Sequence, residues 1–572
     1  MSLQSILENG FESGHHIRRK VQIFQSALEE IADKLSMPEL LQRLKATDNT
    51  TRVREDLHQG VMGEKAQSSN TNLRDDRATG RWEVVLDLQS GLGDVPGSCV
   101  SHISPPEASR PYHDNVRYAD IISEGVLSQE RAESYFFLYK QRLDHFIYRV
   151  PGDWFQTLDN VRQCSPLLTS VICAVGALHS TSADYDVCYG HFTALAARKL
   201  FAKEHTVFDV LAFLIGAYWL SDISWNLISI AVRIATELQL HRAIYHISDG
   251  DKSRYLCARV YYLVFVCDHH FSIPYGRYPW TRQCEAIKLG RQLLSGPHST
   301  KDDLRLVYQV ELWSLTEEIS TTFGTDTDRA LTVSMVPDLH RFSIQLDSFR
   351  TEWNARWVPN AFIGNYARKG SGLYYHFAKL YLYSHALRGL GKHSSLDHDV
   401  SQLGLDIDEF ANAAVLSATT IIRTVINDGE VQSFIDGFHT YFNIMIVFAV
   451  VFLLKVSAAY SVSIHLDKAE IASLVERLLV VLKRSILGLH PKHLLVSISN
   501  GIEQALNNFS MNLRHDPGNH TNDTGASSAN VPTGNAGGYE VFSPFMEDFD
   551  FLASQSLINN FPADVIGEDL AS

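Results

Sequence analysis

The sequence lacks closely spaced cysteines, and it has no excess of basic residues. None of its seven cysteines stands in the Cys-x2-Cys spacing of structural zinc sites. An odd number of cysteines, mostly inside apolar helical patterns, is typical of reduced core thiols in an intracellular protein. With 50 Lys and Arg against 65 Asp and Glu, the net charge is −15. Because phosphate binding needs a concentrated basic surface, this composition argues against DNA binding by the chain as a whole.

Long hydrophobic runs are also rare. The longest, "YFNIMIVFAVVFLL" from Tyr441 to Leu454, contains Asn443 and ends at Lys455. It falls short of the ~20 residues that a bilayer span needs, so it predicts a buried core helix and no membrane partner. The first residues, "MSLQSILENGFESGHH", lack the basic flank and apolar centre of a signal peptide.

Common catalytic signatures are missing as well. There is no Gly-x-Ser-x-Gly, His-Glu-x-x-His or P-loop. Asp302 and Asp303 have no third carboxylate one helical turn later, as an Asp-rich metal motif on a helix would require. Gly91 and Gly93 follow a possible strand, as in a dinucleotide-binding motif, but prolines rather than a helix come after them. Adjacent side chains on a helix point apart, so Cys267–His270 reads better as a helix-end cluster than as a metal site. We predict no catalytic residue, no cofactor and no bound metal.

What is present from Tyr118 to His493 is helical periodicity. One segment starts at an N-cap Ser128, and another has Pro166 in its first turn. Large helices, apolar on most faces and joined by short links, predict an all-α, multihelical bundle. We assign residues 118–506 to this helical domain.

A short heptad seam precedes that domain, within residues 1–45. Its apolar positions alternate in steps of four and three: Ile17, Val21, Phe24, Leu28, Ile31 and Leu35. This pattern predicts a coiled-coil helix and allows a homodimer, although under three heptads are marginal alone. The alternative is an amphipathic helix packed on the main body. Polar, loop-forming residues 46–117 then predict a largely disordered linker.

The end of the chain carries acids and no Lys or Arg. Residues 507–538 predict a second disordered linker, and residues 539–572 an acidic, aromatic tail. Acids that alternate with aromatics keep them solvated and available to a partner groove, as in an activation segment. The predicted anchors are Phe545, Phe549, Phe551 and Leu552. The alternative is a plain disordered tail.

The segment "SWNLISIAVRIATELQLHR", Ser224 to Arg242, is an apolar helix that ends in two basic residues. One face carries Leu227, Ala231, Ile234 and Leu238, and Leu240 closes the end. We place His241 and Arg242 in the last turn, where cationic donors complement free carbonyls and the helix dipole. This interpretation explains both residues without a catalytic role.

Several motifs, taken together, resemble the middle homology region of the fungal binuclear zinc-cluster transcription factors. The positions that carry the resemblance are Leu238, Leu240, His241, Arg242, Asp268, Gly276, Arg277 and Pro279. Gln239 stands where that family usually has Gly, and Tyr278 lengthens the family's Gly-Arg-Pro by one residue. The helix that begins at Pro166 is similar to an early helix of the same region. The resemblance covers about two thirds of the chain, from Tyr118 to His493.

The resemblance implies a regulator of transcription that works in the nucleus and is not an enzyme. The family's six-cysteine zinc cluster is missing, so DNA contact would come from a missing segment or from a partner. Coactivators and a small-molecule effector are the other implied partners, and the eight matching positions are implied to be structural. The alternative is a helical metabolic enzyme or a small-molecule-binding protein with a pocket in the bundle.

Overall fold

The computed structural model describes residues 119–326, 331–360, 362–388, 400–459 and 467–514, which all fall in one structural unit. These residues form helices and contain no β-strand, only one isolated bridge between Asn360 and Gly364. The predicted all-α, multihelical fold is confirmed. The predicted seam, the first linker and the acidic tail lie outside the described residues.

The α-helices of the first half are α1 Gln129–Leu138, α2 Leu158–Cys164, α3 Pro166–Leu178, α4 Tyr185–Lys199, α5 Val207–Trp219, α6 Ser224–Glu237, α7 Lys252–Ser272 and α8 Glu285–Lys288. Those of the second half are α9 Lys301–Phe323, α10 Val336–Asn354, α11 Tyr366–Ser384, α12 Val400–Asn427, α13 Gly429–Gln432, α14 Thr440–Ala459, α15 Lys468–Ser485 and α16 Leu494–Arg514. Short 3-10 segments join several of them, including Asp144–Ile147, Leu240–Asp249 and Ile273–Tyr275.

Local sequence fixes several helix starts. The Ser128 hydroxyl accepts a hydrogen bond from the Arg131 amide and so caps α1, as predicted. Ser165 caps α3, and Pro166 takes the first helical position, where a missing N–H costs nothing. At α9, Thr300 and Asp303 satisfy each other's backbone amides in a capping box.

The core is built around three apolar helices, α3, α5 and α14. Every residue of α5 is buried; α5 packs against α3, α6 and α7, and α14 packs against α12, α15 and α16. Within the described ranges, the stretch Thr440–Ser457 of α14 is long and apolar enough to cross a membrane, and 89% of it is buried inside the structure. The predicted buried helix is confirmed, although α14 is longer than the run from which it was predicted.

Two predicted boundaries need correction. Helix α6 ends at Glu237, so His241 and Arg242 do not lie in its last turn; they belong to the following 3-10 segment, Leu240–Asp249. Helix α16 continues to Arg514, beyond residue 506, where we ended the helical domain.

The cysteines of the described residues are free thiols, as predicted. Cys173, Cys188, Cys257 and Cys267 are buried, Cys284 is half-buried and Cys164 is exposed. Burial raises the pKa of the Cys173 and Cys267 thiols well above the usual value, which keeps both neutral and unreactive. Cys99 lies outside the described residues.

Candidate functional site

The segment after α6 turns sharply because one residue adopts left-handed backbone geometry. Gln239 has φ 53° and ψ 37°, a conformation that favours glycine. It thereby separates α6 from the 3-10 segment that begins at the buried Leu240. The geometry explains why glycine suits this position in the family that the segment resembles.

His241 and Arg242 make only local contacts at this turn. The Arg242 guanidinium donates to the Gln239 side chain at 3.0 Å. The half-buried His241 ring lies 6.0 Å from the Tyr261 ring, measured between ring centroids. Burial first, and the charge of Arg242 second, lower the pKa of His241. Among the described residues, no carboxylate or nucleophile is hydrogen-bonded to either side chain, and their contacts are those that hold a turn in place.

Asp268, buried inside α7, anchors the loop that follows that helix. Its carboxylate accepts the Thr281 amide at 2.6 Å and the Thr281 hydroxyl at 2.7 Å. Burial raises the pKa of Asp268, while His269 and Thr281 partly oppose that rise. The sequence pointed to Asp268 but not to its partner Thr281, which no local pattern connects to it.

The next part of the loop folds back onto α6. Gly276 has φ 65° and ends the 3-10 turn Ile273–Tyr275. The guanidinium of Arg277 then lies over the ring of Trp225, with its central carbon 4.6 Å from the ring centroid. Pro279 is half-buried in the same loop. Asp268, Gly276 and Arg277 therefore shape and hold the α6–α7 corner through contacts within the protein.

The polar side chains at the end of α7 do not converge on one point. His269 contacts the Phe265 carbonyl oxygen at 2.8 Å and the Glu317 carboxylate at 3.0 Å, whereas His270 stacks on Tyr441 with ring centroids 4.1 Å apart. Among the described residues, no group of three or more His, Cys, Asp or Glu could hold a metal ion.

An ion network that the sequence did not indicate lies between α7, α9 and the segment before α2. Arg259 is 2% exposed, and its Nε lies 2.8 Å from a carboxylate oxygen of the fully buried Asp303. The same guanidinium donates to Asp153 at 3.0 Å and to the backbone carbonyl oxygen of Tyr148 at 2.6 Å. Two hydrogen bonds and the close Asp303 carboxylate around one guanidinium compensate for the cost of burying its charge.

A second arginine continues this network. Arg305 donates to the backbone carbonyl oxygen of His145 at 2.8 Å and to Asp302 at 3.2 Å. Tyr148 and Arg149 both have positive φ values, 58° and 54°, which cost ~1–2 kcal/mol each for residues other than glycine. Arg259 and Arg305 donate hydrogen bonds to backbone carbonyl oxygens of this strained stretch, and these bonds hold its conformation.

Asp144, at the start of the strained stretch, is buried with a single backbone hydrogen bond from Gly152, at 3.3 Å. Burial raises the pKa of its carboxyl to about 7, and the nearby Arg149 partly opposes that rise. A Cβ on Gly152 would lie 1.9 Å from the Asp144 carboxylate, so any larger residue there would require that carboxylate to move.

Buried histidines complete the interior. Burial lowers the pKa of His179 to about 4 and that of His439 to about 3, so both are neutral at pH 7. His179 and His493 place their Nε2 atoms 3.3 Å apart, and His439 packs against Tyr218. These side chains fill the core, and none of them is paired with a nucleophile in the described structure.

The fold and these motifs agree with a comparison to known proteins. Residues 133–303 match the fungal specific transcription factor domain, which spans the α6–α7 corner and much of the ion network. The chain therefore carries the domain of fungal transcription factors, as its resemblance predicted.

A relative in that class is the transcriptional activator of proteases prtT of Emericella nidulans. It is 32% identical to this chain over 419 residues, which are 72% of this chain and 62% of the relative. The chain thus spans less than two thirds of that relative's length.

Proposed function

We propose that this chain is the regulatory and activating portion of a fungal transcription regulator that works in the nucleus. The observation that carries the proposal is the transcription factor domain at residues 133–303, inside a longer region related to a transcriptional activator. Because the net charge is −15, DNA contact is assigned to another segment or to a partner.

The contacts of the α6–α7 corner support a regulatory scaffold rather than an enzyme. Asp268 in this corner binds Thr281, and Arg259 of the neighbouring ion network pairs with Asp303, so these ionisable groups anchor the fold internally. The matching domain is that of fungal transcription factors, and the relative is a transcriptional activator. We therefore propose a transcription regulator in preference to a helical metabolic enzyme.

The two ends of the chain supply the partner contacts in this proposal. The heptad positions between residues 17 and 35 would pair two copies, and the tail at residues 539–572 would bind a coactivator. In the tail, Phe545, Phe549, Phe551 and Leu552 would enter the coactivator groove. The acids would keep these aromatics solvated and speed the encounter.

The target genes follow from the relative rather than from this chain. The relative is described as an activator of proteases, so protease genes are the first class of target to test. Activation, rather than repression, is proposed on the same ground and on the composition of the tail.

A reporter assay tests the proposal. The full chain, fused to an unrelated DNA-binding domain in a fungal cell, should activate a reporter gene. Replacing Phe549 and Phe551 by Ala should remove most of that activity, because the apolar anchors are lost. Replacing Asp564 by Asn and Glu568 by Gln is the matched control and should remove less.

Protein level and nuclear location of each fusion would be measured in the same cells. A well-expressed, nuclear fusion that leaves the reporter silent contradicts the activating role. Equal losses in the aromatic and acidic variants contradict the assignment of the anchors.

A further inference from the structure

A cavity of about 550 Å³ opens between α10, α11 and α12. Its floor contains the buried Tyr308 of α9, and exposed residues such as Asn354 and Arg368 form its rim. This volume lies in the range of ~300–1,000 Å³ that is typical of small-molecule sites.

The lining of the cavity is positively charged. It contains Arg350, Arg368 and Lys369, and it contains no Asp or Glu. Lys369 is neutralised from outside the lining, since it lies 2.8 Å from both Asp428 and Glu430. Arg350 and Arg368 form no ion pair with any described residue, so two positive charges remain available to a ligand.

Arg350 is also held in position. Its guanidinium carbon lies 4.4 Å from the centroid of the Tyr375 ring, a cation–π contact that limits its rotamers. Asp347 on the same helix interacts with Arg350 electrostatically, but its close ion pair is with Lys379, at 2.9 Å. The arginine fork is thus fixed at the cavity wall while its charge is not cancelled by an ion pair.

One wall of the cavity is aromatic, with rings that stand edge-on or tilted to one another. The rings of Tyr308, Trp353 and Trp357 lie 5.3–5.9 Å apart, measured between centroids. The Trp353 indole N–H is used by Glu311 at 3.1 Å, whereas the Trp357 N–H is a buried donor without a partner among the described residues. Tyr308 and Trp353 are almost fully buried, so the half-buried Trp357 supplies the stacking surface and the unsatisfied donor.

The side of the cavity formed by α12 is polar but uncharged. It consists of Thr420 and Thr424, whose hydroxyls donate to backbone carbonyls of α12 and so keep their acceptor lone pairs free. His376 also lines the cavity; burial, followed by the charges of Arg350 and Lys379, lowers its pKa to about 4. At pH 7 the uncompensated charge therefore comes from the two arginines.

We propose that this cavity binds a small organic anion, with a carboxylate or phosphate on Arg350 and Arg368 and a flat ring on the Trp357 wall. Arginine forks match both anions, and aromatic rings match a planar body. The inference rests on the cavity alone and does not require the proposed role in transcription.

Isothermal titration calorimetry on the full 572-residue chain tests the site with three probes of one shape. These are 2-naphthoate, 2-naphthyl phosphate and the uncharged 2-naphthamide. At least one of the two anions should bind, and should bind about tenfold or more tightly than the amide. Raising the salt concentration should weaken the binding of the anion. The stronger of the two anions identifies which headgroup the site prefers.

Variants locate the binding. Arg350→Gln combined with Arg368→Gln should weaken binding of the anion about tenfold or more and bring it near that of the amide. Arg341→Gln is the matched control: it lies on the same helix, pairs with Asp338 and does not line the cavity. Thr420→Glu places a carboxylate on the α12 side of the cavity and should also weaken binding of the anion. This single variant tests the site if the double variant does not fold.

Two results overturn the proposal. One is that neither anion binds at millimolar concentration, or that the amide binds as tightly as the anions. The other is that a folded cavity variant binds the anion as the Arg341 control does. Since the readout is binding to the purified chain, a silent reporter gene would leave this result unaffected.

Discussion

The buried Arg259–Asp303 pair gives the sharpest prediction about stability. Replacing Arg259 by Met removes the partner that lies 2.8 Å from the Asp303 carboxylate, while both side chains are almost fully buried. Leaving one member of a buried pair without its partner costs ~3–5 kcal/mol. Asp303 keeps the Thr300 amide and hydroxyl as donors, so we expect the lower part of that range.

The matched control is an exposed pair of the same chemistry. Arg341 lies 2.9 Å from Asp338, and the two side chains are 48% and 39% exposed. Such a surface pair contributes ~0–1 kcal/mol, so Arg341→Met should hardly change stability.

Thermal unfolding, followed by circular dichroism at 222 nm, is the assay. With an unfolding entropy of ~2.1 cal/mol/K per residue over several hundred residues, Arg259→Met should lower Tm by roughly 4–6 °C. Adding Asp303→Asn to Arg259→Met should recover part of that loss, because the uncompensated charge is removed. If Arg259→Met unfolds no earlier than Arg341→Met, the network does not stabilise the fold and the reasoning is refuted.

Three further predictions follow from the turn, the buried histidines and the charge balance. Gln239→Gly should raise the free energy of unfolding by ~0.5–1 kcal/mol, since it removes left-handed strain of ~1–2 kcal/mol and adds backbone entropy to the unfolded chain. A lower free energy of unfolding, measured by urea denaturation, would contradict the strain. Buried histidines such as His179 and His439 stay neutral in the fold but take up protons near pH 6.5 when unfolded, so stability should fall as the pH drops from about 6.5 towards 4. The raised pKa of Asp144 acts with the opposite sign between about pH 4 and 7, so Asp144→Asn should steepen that fall; a urea midpoint that does not change from pH 7 to pH 5 in either protein would contradict both assignments. The purified 572-residue chain should show no sequence-selective duplex binding, and a salt-resistant footprint by this chain alone would overturn that expectation.

The sequence predicted helices well because their signals are local. The N-cap Ser128 and Pro166 at a first helical position depend on neighbouring residues, and both helices start as predicted. The apolar run before Lys455 predicted a buried helix for the same reason. The end of α6 was missed because Gln239 gives no glycine signal for a left-handed turn.

The polar interior was less accessible from the sequence. The sequence gives no sign that Asp302 pairs with Arg305, or that Asp303, which also caps α9, pairs with Arg259. Arg259 and its acceptor Asp153 are separated by more than a hundred positions, and only the packing of α7 against the earlier segment brings them together. The cavity between α10 and α12 is missed for the same reason, because its two free arginines lie on different helices.

The central claim, that this chain regulates transcription, is tested most directly by rapid depletion of the protein in the fungus that encodes it, followed by nascent transcript sequencing. The account predicts that a discrete set of genes loses nascent transcripts within minutes, before any change in growth. Re-expression of the chain with Phe549 and Phe551 replaced by Ala should fail to restore them, whereas the intact chain should succeed. If nascent transcripts stay unchanged after the protein has gone, while metabolite levels shift first, the chain is not a transcription regulator.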